Sequence, residues 1–355
     1  KNIATTGNGG GINFASNAVA NFGAFTFQSN RAQVNGGALR AQASSINFAQ
    51  PTNVISNTAT TGSGGGMHLT VGFAVTFTQK LVLDANTAYT SGGGIFATGV
   101  DLNFGNDSEI TDNVSQNGSG GGVYLNDGDL ITAKISFLRN KAKIDGGGLY
   151  ALNAALTLAN ASLVQLNEAQ TGNGGGIYTG GGAATLIGVL IEQNTAQLNG
   201  GGLYLTGNPL TTALLVQSNS IVRQNKSNTA KGGGLFVTGG KVTINGSAVN
   251  NNQAQTGGGG LYQSSGTLTV TNSALIQANT TITGGGGGLA IISGTTSILN
   301  SQVNQNSAYG DGGGLYAPGG QVTVNTSVFN NNILTLDLTN VAIDVKTLSS
   351  GRGAG

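Results

Sequence analysis

The chain has 355 residues, of which 63 are glycine, 8% are charged and none is cysteine or tryptophan. Its 14 Lys and Arg against 13 Asp and Glu leave a formal charge of +1, so no basic field attracts nucleic acid and we expect no nucleic-acid partner. No apolar run approaches the roughly 20 residues of a membrane-spanning helix, so we expect no membrane span in this chain. Low charge with 38% hydrophobic residues also argues against disorder, which makes the glycines structural.

Asparagine recurs along almost the whole chain at steps of 26 to 31 residues, most of them 27. A period of this length predicts a solenoid, in which each unit buries its apolar side only against its neighbours. We therefore predict one elongated repeat domain over residues 1–332. Residues 333–355 are predicted to cap the solenoid or to pair with a neighbouring subunit, and to end in a flexible Gly-rich tail. The recurring residues are Asn2, Asn30, Asn57, Asn86, Asn113, Asn140, Asn167, Asn194, Asn225, Asn252, Asn279, Asn306 and Asn332.

Each repeat contains three short segments in which apolar and polar residues alternate, as in residues 235–237, 242–244 and 248–249. All three are too short for helices and are separated by corners that contain Gly or Asn. Three strands in about 27 residues make one coil, and stacked coils pair each strand in parallel with its copies. The predicted fold is all-β: a right-handed single-stranded parallel β-helix of about 12 coils. Its handedness rests on the preference for right-handed parallel crossovers.

A glycine run followed by an apolar residue lies eight to ten residues after most of these asparagines, as at residues 146–149. Glycine suits a corner that needs positive φ or a close backbone approach, and stacked corners leave no room for a Cβ. The asparagine itself is predicted to form a structural amide ladder along the stack. One step of 31 residues indicates an insertion near residues 207–210, which we expect to protrude.

Two motifs, GG-[AG]-[ILV] and apolar-x-x-Asn, make up this signature. Residues 36–39 carry the first, and residues 27–30, 137–140 and 329–332 carry the second with phenylalanine in its apolar position. Over about residues 2–332 the pattern resembles the repeats of chlamydial polymorphic outer-membrane proteins and related bacterial surface β-helices. This resemblance implies a surface-exposed protein that acts in adhesion or cell-envelope architecture.

An aromatic residue often follows the apolar residue of the glycine corner, where strand alternation points it outward. Successive coils would stack these rings into a stripe on one face. The stripe could simply stabilise the rod, or it could contact surface glycans or another rod. His68 occupies the same position and is predicted to substitute for a ring rather than to act in catalysis. The predicted stripe consists of Phe96, Tyr124, Tyr150, Tyr178, Tyr204, Phe236, Tyr262 and Tyr316.

Carboxylates concentrate between residues 101 and 129, where Asp101 and Asp129 should stack in adjacent coils. Asp101, Asp127 and Asp129 are candidate Ca²⁺ ligands because carboxylate oxygens suit this ion, although the alternative is a solvated turn. The sequence indicates no other metal and no cofactor.

The patterns favour a non-enzymatic extracellular or cell-surface scaffold or adhesin, with self-association or surface glycans as its partners. One alternative is a subunit of an extracellular filament or sheath, joined laterally or end to end. A second is a polysaccharide lyase or hydrolase using Asp101, Asp129 and Lys134.

Overall fold

The chain folds as a parallel β-solenoid in the computed structural model, which describes residues 1–16, 18–72, 74–132, 134–208 and 212–335. Every described strand pair is parallel, and about 12 coils of about 27 residues stack into one right-handed rod, as predicted. At about 4.8 Å per coil the rod is on the order of 60 Å long. No helix long and apolar enough to span a membrane occurs among the described residues.

Most described coils contain the three predicted strands and, in addition, a short fourth strand of two residues. The first strand follows the glycine corner, the second and third come next, and a two-residue corner strand follows the recurring Asn. In two coils the first and second strands merge into one long strand, so all first and second strands belong to one sheet. The third strands and the corner strands each form a sheet of their own, which makes three sheets in all. The corner strand escaped prediction because two residues are too few to show alternation.

The sheet of first and second strands contains 22 strands in the described residues. First strands are Ile12–Phe14, Leu39–Gln42, Met67–Thr70, Ile95–Thr98, Val123–Asn126, Leu149–Leu152, Ile177–Gly180, Leu203–Gly207, Leu289–Ile291 and Leu315–Tyr316. Second strands are Val19–Phe22, Ser45–Phe48, Val75–Phe77, Leu102–Phe104, Leu130–Thr132, Leu156–Leu158, Ala183–Ile187, Ala213–Gln217, Thr295–Leu299 and Gln321–Asn325. The merged strands are Leu235–Asn245 and Leu261–Thr271.

Third strands form a second sheet, and corner strands form a third. The third strands are Phe25–Gln28, Thr52–Ile55, Leu81–Asp84, Ser108–Thr111, Ile135–Leu138, Leu163–Gln165, Leu190–Glu192, Ile221–Arg223, Ala248–Asn250, Leu275–Gln277, Gln302–Asn304 and Val328–Asn330. The corner strands are Ile3–Ala4, Arg31–Ala32, Thr58–Ala59, Thr87–Ala88, Val114–Ser115, Lys141–Ala142, Glu168–Ala169, Thr195–Ala196, Lys226–Ser227, Gln253–Ala254, Thr280–Thr281, Ser307–Ala308 and Ile333–Leu334.

The core is one continuous apolar column enclosed by the three sheets. Alternate residues of the strands point inward, so a typical first strand such as Leu149–Leu152 alternates buried and half-buried positions. Near the beginning of the chain the column includes stacked phenylalanines, with 4.7 Å between the ring centroids of Phe48 and Phe77. Like residues pack on one another from coil to coil and fill this narrow column.

Strand register locates the predicted insertion. Gly180 pairs with Thr206 and Ala183 pairs with Ala213, so three residue steps in one coil correspond to seven in the next. The four extra residues therefore lie between Thr206 and Ala213, where the sequence placed them. Residues 209–211 lie outside the described part of the chain, as does most of the predicted C-terminal cap in residues 336–355.

Candidate functional site

The asparagine ladder runs without a break from Asn2 to Asn332, as predicted. In a typical step Asn140 donates from both its backbone N–H and its Nδ2 to Oδ1 of Asn167, at 3.0 Å each. Asn167 in turn donates from Nδ2 to the carbonyl of Phe137 at 2.9 Å. Each interior rung is thus buried with its amide oxygen and nitrogen bonded, which is how buried polar groups avoid a desolvation penalty.

The glycine corner packs directly against this ladder. Gly146 has a φ of +64°, which glycine adopts without strain. A Cβ on Gly147 would lie 2.3 Å from the carbonyl oxygen of Gly175 in the next coil. A Cβ on Gly148 would lie 3.1 Å from Cγ of Asn167. The two halves of the sequence signature are therefore one structural unit, in which the glycines make room for the neighbouring backbone and for the asparagines.

The predicted aromatic residues stack in an almost continuous column on the outer side of the first strands. His68 starts this stack, and successive ring centroids from His68 to Tyr262 lie 4.8 to 5.2 Å apart with interplanar angles of 3° to 18°. Near-parallel rings at this spacing cover one another's faces and leave edges toward solvent. Because a sugar ring stacks on an aromatic face, the interior of the column is a poor platform for glycans.

Three members differ from the predicted surface stripe. Phe236 and Tyr262 are only 8% and 7% exposed, so they are buried. Tyr316 does not stack on Tyr262, because Ala290 occupies the intervening coil and provides no ring. Strand alternation gave the direction of these side chains correctly but could not show how neighbouring side chains cover them.

His68 is 9% exposed and stacks on Phe96 with centroids 4.9 Å apart. Its Nδ1 is buried without a hydrogen-bond partner. Burial, followed by the nearby positive charge of Arg40, lowers the pKa of His68 to about 4. The imidazole is therefore neutral near pH 7 and occupies a ring position in the column.

The candidate Ca²⁺ ligands accept hydrogen bonds from backbone and side-chain N–H groups. Oδ1 of Asp101 accepts the N–H of Asp129 at 2.8 Å, and Oδ1 of Asp129 accepts the N–H of Ala155 at 2.8 Å. Asp127 accepts from the side-chain amides of Asn126 and Asn153. Among the described residues no three His, Cys, Asp or Glu side chains form a group that could hold a metal ion. The predicted set of Asp101, Asp127 and Asp129 is thus not gathered into a Ca²⁺ site, because these carboxylates bond separate groups.

Lys134 was placed with Asp101 and Asp129 in the alternative enzymatic site. Its Nζ instead lies 2.7 Å from Oδ1 of Asp107, and this contact lowers the pKa of Asp107. The structure therefore pairs Lys134 with a different carboxylate from the two in the predicted site.

A second polar column lies at the residue before the glycine corner and was not predicted. Asn173 donates its backbone N–H to Asp145, Asn199 donates its own to Asn173, and Lys231 donates its own to Asn199. The ammonium group of Lys231 contains no acceptor atom, so it cannot accept a backbone N–H from the next coil, and the column of side-chain acceptors ends there. Gly257 and then Gly285 follow it in register. The sequence contains a signal for this change, because Gly257 and Gly285 belong to two glycine runs that are longer than the usual three residues.

Comparison with protein families, with curated proteins and with solved structures found no match to this chain. The resemblance of its repeats to those of chlamydial outer-membrane proteins stays a prediction, whereas the solenoid is a property of the structure.

Proposed function

We propose that this chain is a non-enzymatic structural or adhesive scaffold of the cell surface or the extracellular space. The observation that carries the proposal is the unbroken asparagine ladder, which ties every described coil to the next through buried hydrogen bonds. A rod joined in this way keeps its length and shape, which is what a spacer or a surface display needs. The repeat resemblance supplies the placement at the cell surface.

The short connections between strands support an extracellular role, because they predict resistance to proteolysis. Proteases cut loop tips and segments that open locally. Here the connections between most strands are only a few residues long, and their backbones bond to the neighbouring coils, as Gly146 does to Asn173. Such a chain offers few cleavage sites and needs no disulfides for durability.

The proposal is tested in the native cells. Antibodies to the folded rod should label intact cells, and added protease should reach the antigen without lysis, while a cytosolic marker stays protected. Electron microscopy of the purified protein should show short rods. Protection of the antigen in intact cells would contradict the surface role, and release of products from acidic or neutral glycans by the purified protein would contradict the non-enzymatic one.

A second candidate, lateral assembly of rods, is favoured by the outer face of the third strands. Five half-buried apolar residues pair in register there and form an outer apolar stripe: Leu163, Leu190, Ile221, Ala248 and Leu275. A second copy of the chain has the same coil spacing, so its stripe could match this one along its length. Contiguous apolar surface is typical of such interfaces.

Sedimentation velocity tests this candidate. Leu190→Lys should reduce association, because it places a charge in the middle of the stripe, whereas Ser136→Lys is the matched control one coil before the stripe begins. Single rods at every concentration of the unaltered protein would exclude lateral assembly.

A further inference from the structure

The aromatic column is interrupted at one coil, and the interruption contains a cavity. Ala290 stands in register between Tyr262 and Tyr316 and replaces the ring that the pattern calls for. A cavity of about 190 Å³ adjoins it, and its lining includes Lys231, Gly257, Tyr262, Gly285, Ala290 and Tyr316.

Departures from the repeat in two adjacent columns create this space. In one column Ala290 replaces an aromatic residue, and in the other Gly257 and Gly285 lack side chains altogether. Cε2 of Tyr262 lies 3.4 Å from the position of a Cβ on Gly257, and Cγ of Tyr316 lies 2.8 Å from that of a Cβ on Gly285. Tyr316 can therefore occupy its position only because residue 285 is glycine. The missing ring at Ala290 and the missing side chains at Gly257 and Gly285 together produce one cavity with tyrosines on both sides.

The dimensions suit a single flat ring. Tyr262 stacks on Phe236 at 5.2 Å, and among the described residues no ring covers its other face. The backbones of Tyr262 and Tyr316 are two coils apart, roughly 9.6 Å along the rod, so one coil position between them carries no ring. A cavity of about 150 Å³ can hold a benzene molecule.

The charge in the cavity is positive. Nζ of Lys231 lies 4.7 Å from the centroid of the Tyr262 ring and 3.0 Å from its hydroxyl oxygen. Within the described ranges Lys231 pairs with no carboxylate. Asp311, in the same column, is three coils farther on, roughly 14 Å away, and leaves this charge uncompensated.

We propose that the Ala290 cavity binds a small aromatic carboxylate, whose ring inserts between Tyr262 and Tyr316 and whose carboxylate bonds to Lys231. The ring restores the missing member of the column, and the carboxylate gives the ammonium of Lys231 an ionic partner in addition to the Tyr262 hydroxyl. Binding at this site is independent of where the rod resides in or on the cell.

Three ligands of similar size separate the contribution of the aromatic ring to binding from that of the negative charge. Benzoate has the ring and the charge, benzyl alcohol has the ring alone, and cyclohexanecarboxylate has the charge on a thicker, non-aromatic ring. Saturation-transfer NMR and calorimetry on the full chain should show benzoate binding with a Kd on the order of 1 mM, as expected for so few atoms. The other two should bind at least several-fold more weakly.

Two variants test whether benzoate binds at the Ala290 cavity. Ala290→Phe fills the gap with a protein side chain and should abolish benzoate binding while raising the melting temperature. Lys231→Gln should weaken benzoate binding by roughly 3- to 10-fold, the effect of losing one ionic contact, and leave benzyl alcohol binding unchanged. Ala183→Leu, at an exposed residue of the second strand Ala183–Ile187 and far from the cavity, is the control and should bind benzoate normally.

Several results would overturn the proposal: no benzoate binding up to its solubility limit, equal affinity for cyclohexanecarboxylate, or binding that Lys231→Gln leaves intact. Since Lys231 is partly exposed, its variant is expected to fold even if Ala290→Phe does not.

Discussion

Oδ1 of Asn167 accepts two hydrogen bonds from Asn140 in the preceding coil, one from the backbone N–H and one from the side-chain amide. Both residues are at most 1% exposed. The side chain of Asn167 thus satisfies backbone groups in the preceding coil as well as its own amide. Because a leucine or alanine could fill the space but not make these bonds, the ladder requires an amide.

Asn167→Ala should therefore lower the free energy of unfolding by at least about 3 kcal/mol. The change removes the acceptor of two buried Asn140 donors and one donor to the carbonyl of Phe137, and each buried donor left without a partner costs about 1 to 3 kcal/mol. Denaturant unfolding followed by circular dichroism measures the loss. Asn117→Ala, at an exposed residue with one hydrogen bond, is the control and should cost less than about 1 kcal/mol. Equal effects at the two positions would contradict the role of the ladder.

The second and third glycines of one corner should differ in their tolerance of alanine. On Gly147 a Cβ would meet backbone atoms of Gly175 and Glu168 at 2.3 and 2.5 Å, which cannot move without shifting a coil. On Gly148 the closest atom would be 2.8 Å away, and Ala38 already occupies this column in an earlier coil.

Gly147→Ala should accordingly cost more than about 3 kcal/mol, beyond the usual range for overpacking, and Gly148→Ala about 1 kcal/mol. Thermal melts of the two variants give the comparison directly. The reverse order of stability would mean that the corner backbone relaxes more easily than its contacts indicate.

The repeat period allowed the coil, the glycine corner and the asparagine ladder to be predicted, because each depends on one residue type recurring at one position. The direction of the aromatic side chains followed from strand alternation for the same reason. The burial of Tyr262 could not be predicted, since it depends on side chains from other coils. The Ala290 cavity was also missed, because a position where the pattern fails gives no periodic signal and its meaning depends on what adjoins it in space.

A left-handed backbone before each ladder asparagine was likewise invisible in the sequence. The residue preceding the asparagine has φ between +51° and +57° in twelve coils, as at Leu166 with +57°. None of the twelve is glycine or β-branched, yet a non-glycine residue pays roughly 1 kcal/mol in this conformation.

Leu166→Gly should therefore destabilise the rod by roughly 1 kcal/mol less than Leu198→Gly, because glycine adopts the positive φ of residue 166 without strain. Leu166 and Leu198 are 45% and 39% exposed, so the apolar burial lost with the leucine side chain is similar in the two variants. Leu166→Val should destabilise the rod by about 1 kcal/mol or more, because a β-branched residue tolerates positive φ poorly. Differential scanning calorimetry of the three variants measures these differences, and equal losses for the two glycine variants would contradict the role of backbone conformation.

Burial in the stack raises the pKa of four tyrosines, Tyr124, Tyr150, Tyr178 and Tyr204, so their ionisation should be shifted to high pH. Burial, followed by the charges of Tyr124 and Asp145, raises the pKa of Tyr150 to about 12. The folded-state pKa exceeds the unfolded value of 10.0, so folding favours the neutral hydroxyl of Tyr150. The stability that comes from burying the neutral form is present below pH 10 and is lost as the pH rises toward 12. In a spectrophotometric titration of the phenolate, Tyr150→Phe should remove one component near pH 12 and leave the lower part of the curve unchanged. Loss of a component near pH 10 would show that Tyr150 is not shielded in the stack.

His68 should make the rod sensitive to acid. Its pKa is about 4 in the folded chain against 6.5 in the unfolded one, so unfolding takes up a proton below pH 6.5. The stability associated with neutral His68 is therefore present above pH 6.5 and is lost progressively as the pH falls through 4, by about 3 kcal/mol in total. His68→Phe should remove this loss, because phenylalanine stacks on Phe96 without a titrating group. Carboxylates that titrate in the same range affect both proteins, so the difference between their unfolding free energies from pH 7 to pH 3.5 isolates the histidine. A difference that stays constant over this range would mean that His68 is protonated as easily in the folded rod as in the unfolded chain.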